Sequence, residues 1–284
     1  PENGFRQNCP PSGDPGGGFR NNGGFDNQGY FKGNGSEGDG QIWSGNRGNA
    51  GSAGHMGEGE LVKAKDVYDY LKVHQFSNGL VMNDASCSGI LGNIQQECNF
   101  NTGDINRGEG AVGFCQWEGS RRPDLMRFAD NFPNYLADEA RFKSHLDSHL
   151  SDQQKSDIYK QVKDDVAHTQ ATGHPMWTNK YVQLEFMYHE MEVGHQQAMN
   201  SHSRSAQNYD TLGHLTTSQS RGGGPSEAAH IFQHDFEKSA MWNLQPRMDK
   251  AEAMHARIAR GDFHKDDTTP VAQDNTHKKT TANG

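Results

Sequence analysis

The chain has 284 residues and a formal charge of −9, with a mean hydropathy of −0.96 and a pI near 5.9. Only 32% of its residues are hydrophobic, so a packed core cannot involve the whole chain, and the acidic balance argues against nucleic acid as the main partner because phosphate binding needs a basic surface. No run approaches the roughly 20 apolar residues of a membrane helix, and no basic-then-apolar leader follows Pro1, so export, if it occurs, is expected to take another route.

Composition changes near residue 57. Residues 1–60 hold 18 of the 34 glycines, and residues 16–31 mix Gly and Asn with isolated aromatics. Glycine loses the most backbone freedom on ordering, and Phe19, Phe25, Tyr30 and Phe31 are too scattered for a contiguous core. Residues 1–57 therefore read as a flexible or extended arm, with aromatics suited to grooves on a neighbouring subunit.

From residue 60 the pattern is helical. Leu61, Val67, Tyr68, Leu71 and Phe76 follow the three-and-four spacing of an amphipathic helix. Ser77–Asn78–Gly79 marks a turn. A second helix is predicted over 83–97, with Ile90, Leu91 and Ile94 on its apolar face. Residues 103–110 form a polar, glycine-bearing loop, and 113–117 a short apolar run suited to a strand end. Pro123 fits the first turn of a helix through Leu125, Met126 and Phe128. Residues 136–150 and 152–168 are predicted as charged, exposed helices, and 181–199 as a long helix. Residues 200–224 are polar and end in three glycines, which reads as a loop or hinge. Pro225–Ser226–Glu227 opens a helix that turns Ala228, Ala229, Phe232 and Phe236 inward, and a last helix is expected over 246–260. Residues 263–284 are polar and aperiodic. The expected fold is mainly α: a helical domain over 58–262 with a short β/turn element, preceded by the Gly-rich arm.

The four cysteines are Cys9, Cys87, Cys98 and Cys115. Cys87 and Cys98 share one predicted helix, which separates them by roughly 16 Å, too far for a disulfide. A Cys98–Cys115 bridge stays open, with reduced thiols expected in a protein made in the cytosol.

Chemistry concentrates in residues 90–122. Glu97 ends an apolar helix beside Cys98 and near Phe100. A glutamate held against apolar surface has its charged form disfavoured, the condition a general acid needs near neutral pH. Glycosidic cleavage asks for such a proton on a poor leaving group while an oxocarbenium-like centre forms. Spacing alone is a weak signal, since a glutamate at a helix end is usually a solvated charge.

The stretch Glu97–Cys98–Asn99–Phe100–Asn101, followed by Gly113–Phe114–Cys115–Gln116–Trp117, resembles two paired motifs of the lysozyme and lytic-transglycosylase superfamily. With Gly119, Arg121 and Arg122 it is similar to the phage tail lysin family, which commonly has a small Ser where Cys98 stands. Gln183–Leu184–Glu185–Phe186 and Glu227–Ala228–Ala229 with Phe232, Phe236 and Glu237 fit the same family. The resemblance covers about residues 58–262 and does not reach the arm. It implies a lysozyme-like domain acting on peptidoglycan glycan strands, with Glu97 protonating the oxygen between N-acetylmuramic acid and N-acetylglucosamine. It also implies that Gln116 hydrogen-bonds the sugar or its acetamido group and that Trp117 stacks on a sugar face. Arg121 and Arg122 would pair with a lactyl or peptide-stem carboxylate. Each has a plainer alternative: Gln116 bracing its turn, Trp117 in the core, the arginines in ion pairs.

Asp104 and Glu109 are the chosen candidates for a second carboxylate over Glu118, because a glycine-flexed loop could carry either over the cleft; the alternative is a pair of solvated loop charges. A retaining enzyme would want it about 5 Å from Glu97, an inverting one about 6.5–9.5 Å. Some superfamily members manage with a single Glu and release an anhydro product, so a lytic transglycosylase stands as the alternative to a muramidase. The arm favours a virion-attached enzyme, docked on other phage tail proteins through residues 1–57 and opening the wall during genome ejection, over a free endolysin; a catalytically silent tail protein is a further alternative. No cofactor or metal is expected. His189 and His195 stand six apart, where zinc on one helix face wants four.

Overall fold

The computed structural model describes residues 58–201, 204–238 and 243–263. The readings made above for the arm and for the tail after Phe263 fall outside them. The described part is mainly helical and contains, in order, α1 (Glu58–Val73), α2 (Asp84–Cys98), α3 (Arg121–Leu136), α4 (Glu139–Ser144), α5 (Asp152–Ala171), a 3-10 turn (Met176–Thr178), α6 (Lys180–Asn200), α7 (Arg204–Asn208), α8 (Thr211–Ser220), α9 (Pro225–Ile231), a π-helical turn (Phe232–Glu237) and α10 (Leu244–Ala259). Among the described residues β pairing is confined to isolated bridges; two of them, Ile105↔Val112 and Val112↔Trp117, are the expected β/turn element after α2.

Helix α2 is the spine. The Asn83 side chain caps it by accepting from the amide of Ser86, satisfying one of the orphan donors of the first turn. Ile90, Leu91 and Ile94 are fully buried. Its glycines let α9 and α10 come in close. A Cβ on Gly89 would lie 2.5 Å from the Ala228 Cβ, and one on Gly92 would lie 2.6 Å from the Ala251 amide nitrogen and 2.7 Å from the Arg247 carbonyl oxygen. Any side chain there would force the helices apart.

Helix α6 forms the second axis and buries most of its first half. Its Glu185, 5% exposed, accepts from the Tyr70 hydroxyl on α1, and His74 stacks on Tyr188 at 3.5 Å. Burial pushes the Glu185 carboxyl up, but the opposing pull of His74 and the Tyr70 hydroxyl leaves it below the usual carboxylate range.

Two sequence expectations are corrected. Residues 136–150 are not one helix: α4 covers Glu139–Ser144 alone, and the chain then folds back so that Leu146 bridges His74 and the Asp147 amide donates to the Val73 carbonyl. Residues 200–224 are not merely a loop, since α8 buries Leu212 and Leu215 and is capped by Asp210 accepting from the Gly213 amide. Its two apolar residues sit among Thr, Ser and Gly, too few to raise a periodic signal.

Candidate functional site

Helix α2 ends at Cys98, and two non-glycine residues in succession, Asn99 (φ 52°) and Phe100 (φ 60°), take the left-handed conformation. That is strained backbone, which persists only where the surroundings enforce it. Here Phe100 is 2% exposed, and the Cys98 thiol points to the Phe114 carbonyl at 3.8 Å.

The loop that follows is pinned from α6. Gln183, fully buried, accepts from the Phe114 amide at 2.8 Å and donates to the carbonyls of Thr102 and Trp177, each at 2.8 Å. A Cβ at Gly113, itself at φ 71°, would lie 2.6 Å from the Gln183 Oε1, so that position must be bare. The sequence marks Gln183 only as part of a family-like segment within the long helix; its role as the loop's anchor is set by a partner 69 positions away.

Glu97 lies on the α2 face that α10 meets. Its side chain is 20% exposed, and its Oε1 accepts from Nη2 of Arg247, whose own side chain is 0% exposed. Arg247 also donates from Nη1 to Glu237 at 2.6 Å and to Asn93 at 2.9 Å. Asn93 and Glu97 stand one helical turn apart and so share a face. Asn93 is itself held by donating to the carbonyls of Gly89 and Ala229. The expected surroundings of Glu97, apolar on the protein side, are thus corrected: a buried guanidinium backs it. Neither Arg247 nor the pairing with Glu237 was recognised in the sequence, because the three residues come from segments whose proximity only the α2–α10 packing sets.

Gln116 and Asp104 are brought together. Gln116 adopts φ 46°, and its Nε2 donates to the Gly113 carbonyl at 3.0 Å and to Asp104 at 3.4 Å. Burial first, then the charges of Asp104 and Glu97, push the Cys98 thiol well above the usual range. Glu109 is exposed and accepts from Asn106 at 2.6 Å, within its own loop. The thiols of Cys87, Cys98 and Cys115 are free and buried.

Trp117 and Arg121 take the plainer of the two placements open to them, not the sugar and carboxylate contacts. Trp117 is 0% exposed; its ring packs edge-on against Phe186, and its indole N–H donates to Glu190 at 2.7 Å, so it has no face for a sugar. Arg121 donates in a bidentate manner to the same Glu190, both contacts at 2.8 Å, and lies over the Phe236 ring at 4.7 Å. Glu190 is thereby the joint that fixes α3 to α6. Arg122 donates to the Gly110 carbonyl at 3.1 Å, bracing the loop. All three side chains have structural employment that the sequence pattern cannot separate from ligand contact.

His189 packs on Phe128 and His195 pairs with Asp210 at 2.9 Å. Among the described residues no three His, Cys, Asp or Glu side chains converge as a metal site would require, and no helix is long and apolar enough to cross a membrane. A surface recess of about 450 Å³ lies elsewhere, lined by residues including Asp157, Asp164, Lys180 and Tyr181. Its lysines are taken up by the pairs Lys160–Asp164 and Lys180–Asp66, so chemistry is better sought at Glu97.

With this geometry in hand, comparison with protein families decides the relationship: residues 62–257 match the phage tail lysozyme family. The chain belongs to that family. No curated protein and no solved structure matches the chain. The family match covers α2, the pinned loop and α10 as far as Arg257, and so includes every side chain of the site described above. Membership makes the chain a phage lysozyme-like enzyme of the cell wall, with peptidoglycan as its substrate.

Proposed function

We propose that the chain is a virion-associated muramidase that hydrolyses the bond between N-acetylmuramic acid and N-acetylglucosamine, with Glu97 as the general acid. The observation that carries this reading is the setting of Glu97: a carboxyl one-fifth open to the outside, fixed from behind by a fully buried arginine, at the strained end of the central helix. A general acid must present one oxygen to the leaving group in a held orientation, and a bound saccharide would cover the open side. Glu97 gives its proton to the glycosidic oxygen as the C–O bond breaks. Water adds to the sugar carbon and returns a proton to the carboxylate.

Asp104 is the better candidate for assisting that water, because Gln116 holds it and its charge, like that of Glu97, is felt at the Cys98 thiol; Glu109 is fastened within its own exposed loop. Gln116 is the candidate sugar contact, as a half-buried amide beside Asp104. Residues 58–262 form the cutting domain in this reading, and residues 1–57 attach it to other tail proteins for local wall opening during genome ejection. A lytic transglycosylase would use Glu97 alike but close the muramic 6-hydroxyl onto the sugar carbon.

Glu97→Gln should abolish the solubilisation of purified peptidoglycan while leaving the thermal transition in place; full activity in that variant defeats the assignment. Mass spectrometry of the released fragments should find reducing rather than anhydro muramic ends. A band for this chain in purified particles would support the virion role, and its absence would leave a free endolysin.

A further inference from the structure

Glu237 is a second carboxyl bound to the arginine that holds Glu97. Its side chain is 3% exposed, so it does not touch substrate. One oxygen, Oε2, takes Arg247 Nη1 at 2.6 Å, while Oε1 is buried without a hydrogen-bond partner among the described residues. A buried carboxylate oxygen with no donor is unfavourable, whereas a carboxylic acid tolerates it better. Two carboxyls on one buried guanidinium also leave one surplus negative charge if both ionise.

We propose that Glu97, Arg247 and Glu237 act as one unit carrying a single proton, held on Glu237 at rest and on Glu97 when a saccharide covers it. This rests on the reading of Glu97 as the acid, with Arg247 and Glu237 as positioning residues. At rest the unit holds one carboxylic acid, one carboxylate and one guanidinium, and its net charge is zero. When substrate removes water from Glu97, its charged form is disfavoured; the proton resides there, and Glu237 becomes the carboxylate that Arg247 neutralises. The net charge is again zero. Glu97 then passes the proton to the glycosidic oxygen, and the proton lost by the attacking water restores the unit.

The charges around Glu237 agree. Burial pushes its carboxyl up and Glu97 adds to the push, while Arg247 and Arg121 on α3 pull it down; the balance leaves it raised to about 8. The Cys115 thiol feels the Glu237 charge from the pinned loop. On its own segment, Asp235 is already engaged by His214 and His234, each at 2.6 Å, and exposed Lys238 follows.

The test is the pH profile of kcat/KM on soluble peptidoglycan fragments with the full chain. The wild type should lose rate on an alkaline limb that marks loss of the shared proton. Glu237→Gln keeps the shape but removes one titrating site, so the last proton leaves a neutral ion pair. Its limb should move at least about one pH unit toward acid, with at least about tenfold less activity at pH 7. Arg247→Gln should move the limb the opposite way, since no cation then offsets the charge. A limb unmoved in Glu237→Gln overturns the proposal. Infrared difference spectra supply a measure independent of catalysis and of the arginine variant's folding: a neutral carboxylic acid band present at neutral pH, lost in alkali and missing from Glu237→Gln. A spectrum in which that variant keeps the band also overturns it. An inactive Glu97→Gln beside an unmoved limb sinks this inference alone, whereas an active Glu97→Gln sinks the reading beneath it.

Discussion

Arg247 donates from Nη2 to the Glu97 carboxylate across 150 positions of sequence. The contact exists because α10 lies against the bare Gly92 step of α2, close enough for an arginine with no exposed surface to reach the helix end. Backbone packing and side-chain chemistry are therefore coupled at this point, and substitutions remote from the acid should be felt there.

Gly92→Ala is the direct trial. Its methyl would meet the Arg247 carbonyl and the Ala251 amide, and overpacking of this kind costs about 1–3 kcal/mol. The thermal midpoint should fall, and activity at a temperature where the variant is still folded should fall too, because Arg247 is displaced. Wild-type stability and activity together would show that the helix contact is looser than described.

Gln183→Leu keeps the bulk at the loop's anchor and removes its hydrogen bonds. The Phe114 amide and the Thr102 and Trp177 carbonyls lose their partner, at about 1–3 kcal/mol for each group left buried and unpaired. Amide exchange over residues 102–117 should quicken well beyond that of α6. Uniform exchange changes across the domain would argue against a local pin.

Glu190→Gln tests whether Trp117 and Arg121 serve architecture or substrate. Loss of the charge weakens a bidentate pair and the indole contact, so stability should drop by about 1–3 kcal/mol with KM little altered. A raised KM at unchanged stability would return these residues to the sugar site.

Acid should weaken the fold through His145. Burial holds this imidazole below the usual histidine range, with Glu185 opposing and His74 reinforcing, and its Nδ1 contacts the Tyr135 hydroxyl at 3.0 Å. The unfolded chain takes up this proton near pH 6.5, the folded one only at lower pH. Between those values the unfolded state binds more protons, so stability declines as pH falls below about 6.5. Denaturant midpoints across pH 5–8 should show that slope, and His145→Gln should flatten part of it, with His189, lowered likewise by burial, supplying more. An unchanged slope in the variant would remove His145 from the account.

The sequence by itself determined the helical class, the spine helix with Glu97 at its end, the turn at Gly79 and the inward face of Ala228 and Phe232. Each is a local matter of spacing and capping, legible because helix periodicity acts over a few residues. Residues 90–117 likewise carried the motif pair that led to the family. Tertiary structure alone decided what those residues touch. It placed Trp117 and Arg121 on Glu190, Gln116 beside Asp104, and Arg247 between Glu97 and Glu237. The contacts of Glu190 with Arg121 and of Arg247 with Glu97 join segments 69 and 150 positions apart, and they form only where bare glycines and buried amides let separate helices meet, a condition that no window of sequence contains.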